Sequence, residues 1–174
     1  PVSLRKVVTF HNGDRGKNYP NKREYVETGI PWINTGQILA SGRLSEVRMN
    51  FITREKYDQL GGGKTPAGDL VYCLRGATIG KTAFVGTNFP GAIASSLMII
   101  RPKENLNDRF AYFYLVSDLG KKEILRFIGG AAQPNLAGSD VGDFQVPLPP
   151  VTEQAQVANR LELARQHTFA AVSL

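Results

Sequence analysis

The sequence predicts an α+β fold: an irregular, strand-rich α/β part followed by one C-terminal helix. Three observations predict it. Glycine (18 residues) and proline (10) break the first 100 residues into short apolar pieces rich in Val, Ile, Tyr, Phe and Trp, the pattern of short strands between turns. Helical spacing replaces that pattern after Asn107. Pro147, Pro149 and Pro150 then set off a last segment with heptad spacing. A length of 174 residues suits one domain with an appendage, read as residues 1–150 and 151–174.

In chain order, Ile30–Asn34, Leu44–Phe51, Leu70–Leu74, Ile79–Val85 and Ala92–Arg101 read as strands. Thr53 is suited to cap a short helix over Thr53–Leu60, because its hydroxyl can accept an amide of the first turn. Gly61-Gly62-Gly63 is a loop, and Arg75-Gly76 a turn. Asn107 or Asp108 caps a helix running to about Ile128, which Gly129-Gly130 stops. Val141–Leu148 is a further strand, ended by the prolines. Thr152 caps the final helix, where Glu153 meets the positive end of the dipole. Val157, Leu161, Ala164, Thr168 and Ala171 step by four, three, four and three, a seam for a partner helix or equally a face packed on the chain's own domain.

The formal charge of +6 is uneven. Residues 1–81 hold 13 basic and 7 acidic side chains, whereas residues 82–174 hold 8 of each. The basic residues sit among Gly, Asn, Thr and Tyr, a polar and flexible setting that suits a phosphate backbone as well as it suits a solvated surface. No apolar run approaches the roughly 20 residues of a membrane span. Pro1–Arg15 lacks the pattern of a secretion signal, and a start at Pro1 reads as trimming or as an imposed boundary. Cys73, the single cysteine, excludes an internal disulfide and a multi-cysteine metal site; it reads as a small buried side chain in a reducing cytoplasm.

Catalytic patterns are missing. Gly63-Lys64-Thr65 has Asp58 where a phosphate-binding loop needs Gly, and Gly76–Thr82 is one residue short between its glycines. His11 and His167 have no metal-ligand neighbours, no acidic residue stands two before a lysine, and no G-x-S-x-G turn occurs. No metal site is expected.

Five segments, in order, carry a resemblance. Gly29-Ile30-Pro31-Trp32-Ile33-Asn34 resembles the G-I-P-W-I segment of target recognition domains in the specificity subunits of type I restriction–modification enzymes. Gly68-Asp69-Leu70-Val71 with Arg75–Lys81 resembles that family's G-D-I-L and R-G-S-I-G-K stretches, and Ala94–Pro102 its strand ending in R-P. Gly129–Leu136 resembles its Q-x-N-L loop, and Pro147–Gln154 its P-L-P-P-x-x-E-Q lead-in to a spacer helix. The resemblance covers about Gly13–Leu163.

It implies a non-catalytic, cytoplasmic, prokaryotic DNA-binding subunit, or a half-length form or fragment of one. Such a subunit reads one half of a bipartite double-stranded target. Its partners would be methyltransferase subunits, a restriction and translocase subunit, and a second recognition domain or a second copy joined through a coiled-coil-like spacer helix. S-adenosylmethionine, ATP and magnesium would belong to those partners, with no cofactor on this chain. The candidate DNA contacts are Lys17, Asn18, Lys22, Arg23, Asn34, Thr35, Gln37, Lys64, Arg75, Thr78, Lys81, Gln133 and Asn135. Lys17, Lys22 and Arg23 suit phosphates, Asn34, Thr35 and Gln37 suit base edges, and Arg75 suits a guanine edge or a core cap. Gln133 and Asn135 suit adenine or the bracing of their own loop. Pro31 and Trp32 suit a core anchor. Val157, Leu161, Ala164, Thr168 and Ala171 are the candidate subunit interface. The rival readings are a freestanding DNA-modifying enzyme and a protein–protein adaptor indifferent to DNA.

Overall fold

The computed structural model describes residues 1–129 and 135–172, with side chains as far as residue 167. Two four-stranded sheets lie face to face. The inner sheet has the order β2 (Val8–Asn12), β9 (Leu97–Pro102), β6 (Leu70–Cys73), β7 (Thr82–Phe84), antiparallel throughout. The outer sheet has the order β4 (Asn50–Ile52), β3 (Ile30–Ile33), β8 (Gly91–Ile93), β5 (Lys64–Thr65); its β3–β8 pair is parallel. A small third sheet joins β1 (Val2–Ser3) to β10 (Gln145–Val146). The helices are α1 (Arg54–Gln59), α2 (Asp108–Val116), α3 (Asp118–Ile128), α4 (Gly138–Gly142) and α5 (Val151–Val172). The architecture is α+β.

Alternation along the strands explains the layering. In β6 and just beyond, Leu70, Tyr72 and Leu74 point to a core shared with the helices, while Val71 and Cys73 point to the other sheet. Met98 and Ile100 of β9 likewise face the helices, and Leu97 and Ile99 face Ile33 and Ile93 of the outer sheet. A strand buried on both faces reads as an unbroken apolar run, which is how Leu97–Ile100 stands in the sequence. On the far side of the outer sheet, Trp32, Ile52, Leu60 and Ala92 pack under Tyr25, Ile30 and Tyr57. Pro31 and Trp32 are buried, and Cys73 is a buried free thiol.

Several expected elements differ. Ala92–Arg101 is two strands in different sheets, because a turn at Ala94–Leu97 (Leu97 N to Ala94 O, 2.9 Å) carries the chain across the core. The expected helix from Asn107 to Ile128 breaks at Ser117, whose hydroxyl donates to Tyr114 O (2.7 Å) and accepts from Gly120 N (3.4 Å). Of Leu44–Phe51 only the end is strand, and Ile79–Val85 is strand only from Thr82. Val141–Leu148 holds two strand residues after α4. Thr152 is not the cap of α5: the helix starts at Val151, with Gln154 N bonded to Pro150 O (3.0 Å), so Thr152 lies inside the first turn. Strand β2 has no counterpart in the expected set. Thr53 and Asn107 do cap, accepting Lys56 N (3.2 Å) and Phe110 N (3.0 Å).

Two long-range ties hold the layers. Arg101 grips buried Asp69 through both guanidinium arms (2.7 and 2.8 Å), and Thr65 Oγ1 donates to the same carboxylate (2.9 Å). Gln154, fully buried, accepts from Asn107 N (2.8 Å) and donates to Asn105 O (3.1 Å) and Pro149 O (2.8 Å), so the start of α5 is joined to the start of α2.

Candidate nucleic-acid interface

Strand direction brings distant parts of the chain to one rim. β3 and β8 run parallel and end together, at Ile33↔Ile93. β6 ends beside the start of β9, at Cys73↔Leu97, and β2 ends beside it too, at Asn12↔Met98. Leu74 N donates to Ser96 O (3.0 Å) and Ala94 N to Ile33 O (2.8 Å), which ties both sheet ends to the Ala94–Ser96 turn. The loops that leave these ends therefore share an edge: Asn34–Gln37 after β3, Arg75–Lys81 after β6, and Ser95-Ser96 between β8 and β9. Asn135 joins them by bridging to Arg75, supported by Leu136 N to Leu74 O (2.9 Å).

The Arg75–Lys81 loop is a tight device. A 3-10 turn spans Gly76–Thr78. Gly76 and Gly80 take φ of +70° and +83°, and a Cβ on Gly80 would lie 2.7 Å from Ile124 Cδ1, so both demands fall to glycine. The Thr78 hydroxyl donates to Arg75 O (3.3 Å) and lies 3.2 Å from Cys73 Sγ. Thr78 thus braces the turn, and Cys73 supports it from the core. Arg75 and Lys81 flank the turn as exposed cations with no side-chain partner among the described residues.

The Asn34–Gln37 loop is equally ordered. Asn34 Oδ1 accepts from Gly36 N (3.2 Å), and Gln37 Oε1 accepts from Asn34 N (2.8 Å). Gln37 Nε2 donates to Arg48 O (2.6 Å), and Gln37 is 4% exposed. Expected as a base reader, Gln37 instead has its amide engaged at both ends and holds two loops together. Asn34 and Thr35 remain partly exposed on the rim.

A basic flank adjoins the rim on the outer-sheet side. Lys17, Lys22 and Arg23 are exposed. Asn18 Nδ2 donates to Gln59 O (2.8 Å), and Lys64 Nζ lies over the Tyr57 ring (4.9 Å), so these two also help hold the flank. Asp14 accepts from Gly16 N (2.6 Å) and Gly61 N (2.7 Å), pinning the basic loop to the triple-glycine loop. Those amides hold the Asp14 carboxyl below its usual range. Tyr19 meets Trp32 edge-on (centroids 5.3 Å), a ring contact that carries this loop on the core.

Gln133 falls outside the described residues. Val157, Leu161 and Ala164 are exposed on α5, with Leu161 one turn beyond buried Ala158 on the same face and Val157 and Ala164 flanking it; the side chains of Thr168 and Ala171 lie outside the described set. Arg165 pairs with Glu162 (2.7 Å) and donates to Ser41 O, joining α5 to the loop after β3. Asn12, Arg48, Ser95 and Ser96 belong to the rim although sequence reasoning did not select them; the paths of β2, β8 and β9, and for Arg48 the β3–β4 pairing, reveal them. Among the described residues no cluster of three His, Cys, Asp or Glu is placed to hold a metal, and no helix is long and apolar enough to cross a membrane.

A family model for the type I restriction modification DNA specificity domain matches residues 1–168. The chain is 25% identical over 169 residues to the type I restriction enzyme MjaVIII specificity subunit of Methanocaldococcus jannaschii, covering 92% of this chain and 38% of that protein. Its fold matches the HsdS subunit from Thermoanaerobacter tengcongensis with a TM-score of 0.69 at 21% identity, over 98% of this chain and 38% of that one. A chain from a type I R-M system solved for its complex assembly and conformational transition matches with a TM-score of 0.74 at 18% identity, over 98% and 39%. The chain therefore spans about two fifths of the length of these relatives.

Proposed function

Since the chain belongs to the family of type I restriction modification DNA specificity domains, we propose that it reads one part of a divided double-stranded DNA target and catalyses nothing itself. The observation that carries this reading is the rim. Loops distant in sequence meet there on rigid strand ends, with Arg75 and Lys81 exposed beside the amide and hydroxyl groups of Asn34, Thr35 and Asn135. Cations position a duplex by its phosphates, whereas amides and a bidentate guanidinium distinguish base edges. In this reading Lys17, Lys22, Arg23 and Lys81 take phosphates, Arg75 takes a guanine, and Asn34, Thr35 and Asn135 take other base edges. Asn18, Lys64 and Thr78 contribute by holding the loops.

The exposed Val157–Leu161–Ala164 seam supports a partner helix, from a second recognition domain or a second copy. Methyltransferase subunits and a restriction and translocase subunit would assemble around that unit, and they would bring S-adenosylmethionine, ATP and magnesium. Cytoplasmic residence follows from such a role.

Fluorescence polarisation of the protein, assembled with its methyltransferase subunits, on duplex DNA over a salt series tests the reading. The expected result is an affinity falling steeply and linearly on a log–log plot as counterions are released. Binding indifferent to salt and to DNA would overturn it and favour an adaptor.

A further inference from the structure

One rim side chain has no role in the fold. Val47 is 98% exposed, the most exposed large apolar side chain among the described residues. A lone surface valine is ordinary, but this one stands on a braced turn. Met49 N donates to Glu46 O (3.2 Å), and Arg48 N to Ser45 Oγ (3.3 Å). Buried Gln37 fixes the turn from below, its main-chain carbonyl accepting Ser45 N (2.8 Å) and its side-chain Nε2 donating to Arg48 O (2.6 Å). A polar side chain is thus kept inside the protein to steady a loop whose tip is an uncovered branched alkyl group.

The position of the turn says what would cover it. The β3–β4 pairing stops at Trp32↔Asn50, so Arg48 and Val47 continue past the strand end beside Asn34, on the rim. Arg43, Glu46 and Arg48 are exposed around it, a charged and net positive setting that suits a polyanion better than an apolar protein surface. The apolar group that a base pair offers in the major groove is the 5-methyl of thymine, and small branched or aliphatic side chains pack on it. Valine is stiff about its first torsion, so a contact of this kind orders little that is not already ordered.

We propose that Val47 reads a thymine by packing on its 5-methyl group, with Arg48 on a neighbouring phosphate. The inference rests on the reading that the rim meets duplex DNA.

The test begins with site selection by the full-length protein assembled with its methyltransferase subunits. Each thymine of the selected duplex is then replaced by deoxyuridine, which removes the 5-methyl alone. At one position the replacement should weaken binding roughly fourfold, as expected for one buried methyl. Val47→Ala should abolish that difference while leaving thermal stability and salt dependence unchanged, and Leu125→Ala, another exposed apolar change, should preserve it. The inference is overturned if no thymine responds, or if the deoxyuridine penalty survives in Val47→Ala. It is also overturned if Val47→Ala loosens subunit assembly with the thymine preference intact. Loss of all salt-sensitive DNA binding in the unsubstituted protein would instead overturn the reading of the rim itself.

Discussion

The joint between α2 and α5 and the rim at the strand ends are both built from polar side chains, and they treat those side chains oppositely. At the joint, Gln154 is fully buried and all its amide groups are matched within the chain. At the rim, Arg75 is exposed and its guanidinium has no partner among the described residues. A polar group withdrawn from water must be satisfied internally, whereas an exposed one keeps its hydrogen-bonding capacity for a ligand. The same division runs through each motif. In the Gly68-Asp69 and Arg101-Pro102 pieces the charged residues pair with each other. In the Arg75–Lys81 loop the glycines and Thr78 shape the backbone while the two cations face outward. A motif string thus mixes residues that make the site possible with residues that act in it.

Changes at four residues test the division, in order of expected effect. Asp69→Ala leaves Arg101 without its partner, and should cost about 3 kcal/mol of folding stability in chemical denaturation, the low end for a buried pair because the Arg101 side chain is 41% exposed. Gln154→Ala strands Asn107 N–H and two carbonyls, and should cost about 2 kcal/mol by the same measurement. If either variant retained full stability but lost DNA binding, the buried group it removes would belong with the site. Arg75→Ala should do the reverse. Stability should stay within about 0.5 kcal/mol, while duplex binding weakens roughly tenfold and discrimination at one guanine relaxes, with the salt slope kept.

The smallest effect concerns Asp14, which lies between the two classes because it braces a loop that carries cations. Its folded carboxyl is held below the usual value of 3.8 by the Gly16 and Gly61 amides. The bracing is complete above that value and is lost as pH falls through the lowered one. Hydrogen exchange at Gly16 and Gly61, corrected for intrinsic rates, should therefore accelerate by about threefold on acidification below the usual value. Asp14→Asn should show the faster exchange at neutral pH.

Much was legible without coordinates. Local rules found β3, β6, α1 and the Thr53 and Asn107 caps, since those depend on residue type within a few positions. Ala92–Arg101 reads as one strand because a strand, a sharp turn and a second strand leave the same apolar pattern as one long strand. The stretch 107–128 reads as one helix because the break at Ser117 depends on a hydroxyl bonding backward to Tyr114 O, which competes with helix continuation only in place. Gln37 carried the amide of a base reader, but burial decides what an amide does, and burial is not local.

The amino-acid sequence is sufficient for the charge asymmetry, for the α+β class and for the family to which the chain belongs, because composition, periodicity and ordered motifs are properties of the string. The rim belongs to the assembled sheets. Asn34, Arg75 and Asn135 are separated by tens of residues, and they meet because β3 and β8 run parallel while β6 and β9 run antiparallel, so that their ends coincide. Strand order and direction are settled by which apolar faces can be buried together across the whole chain. No segment contains that information alone, which is why Asn12 and Ser96 reach the rim only once the sheets are in place.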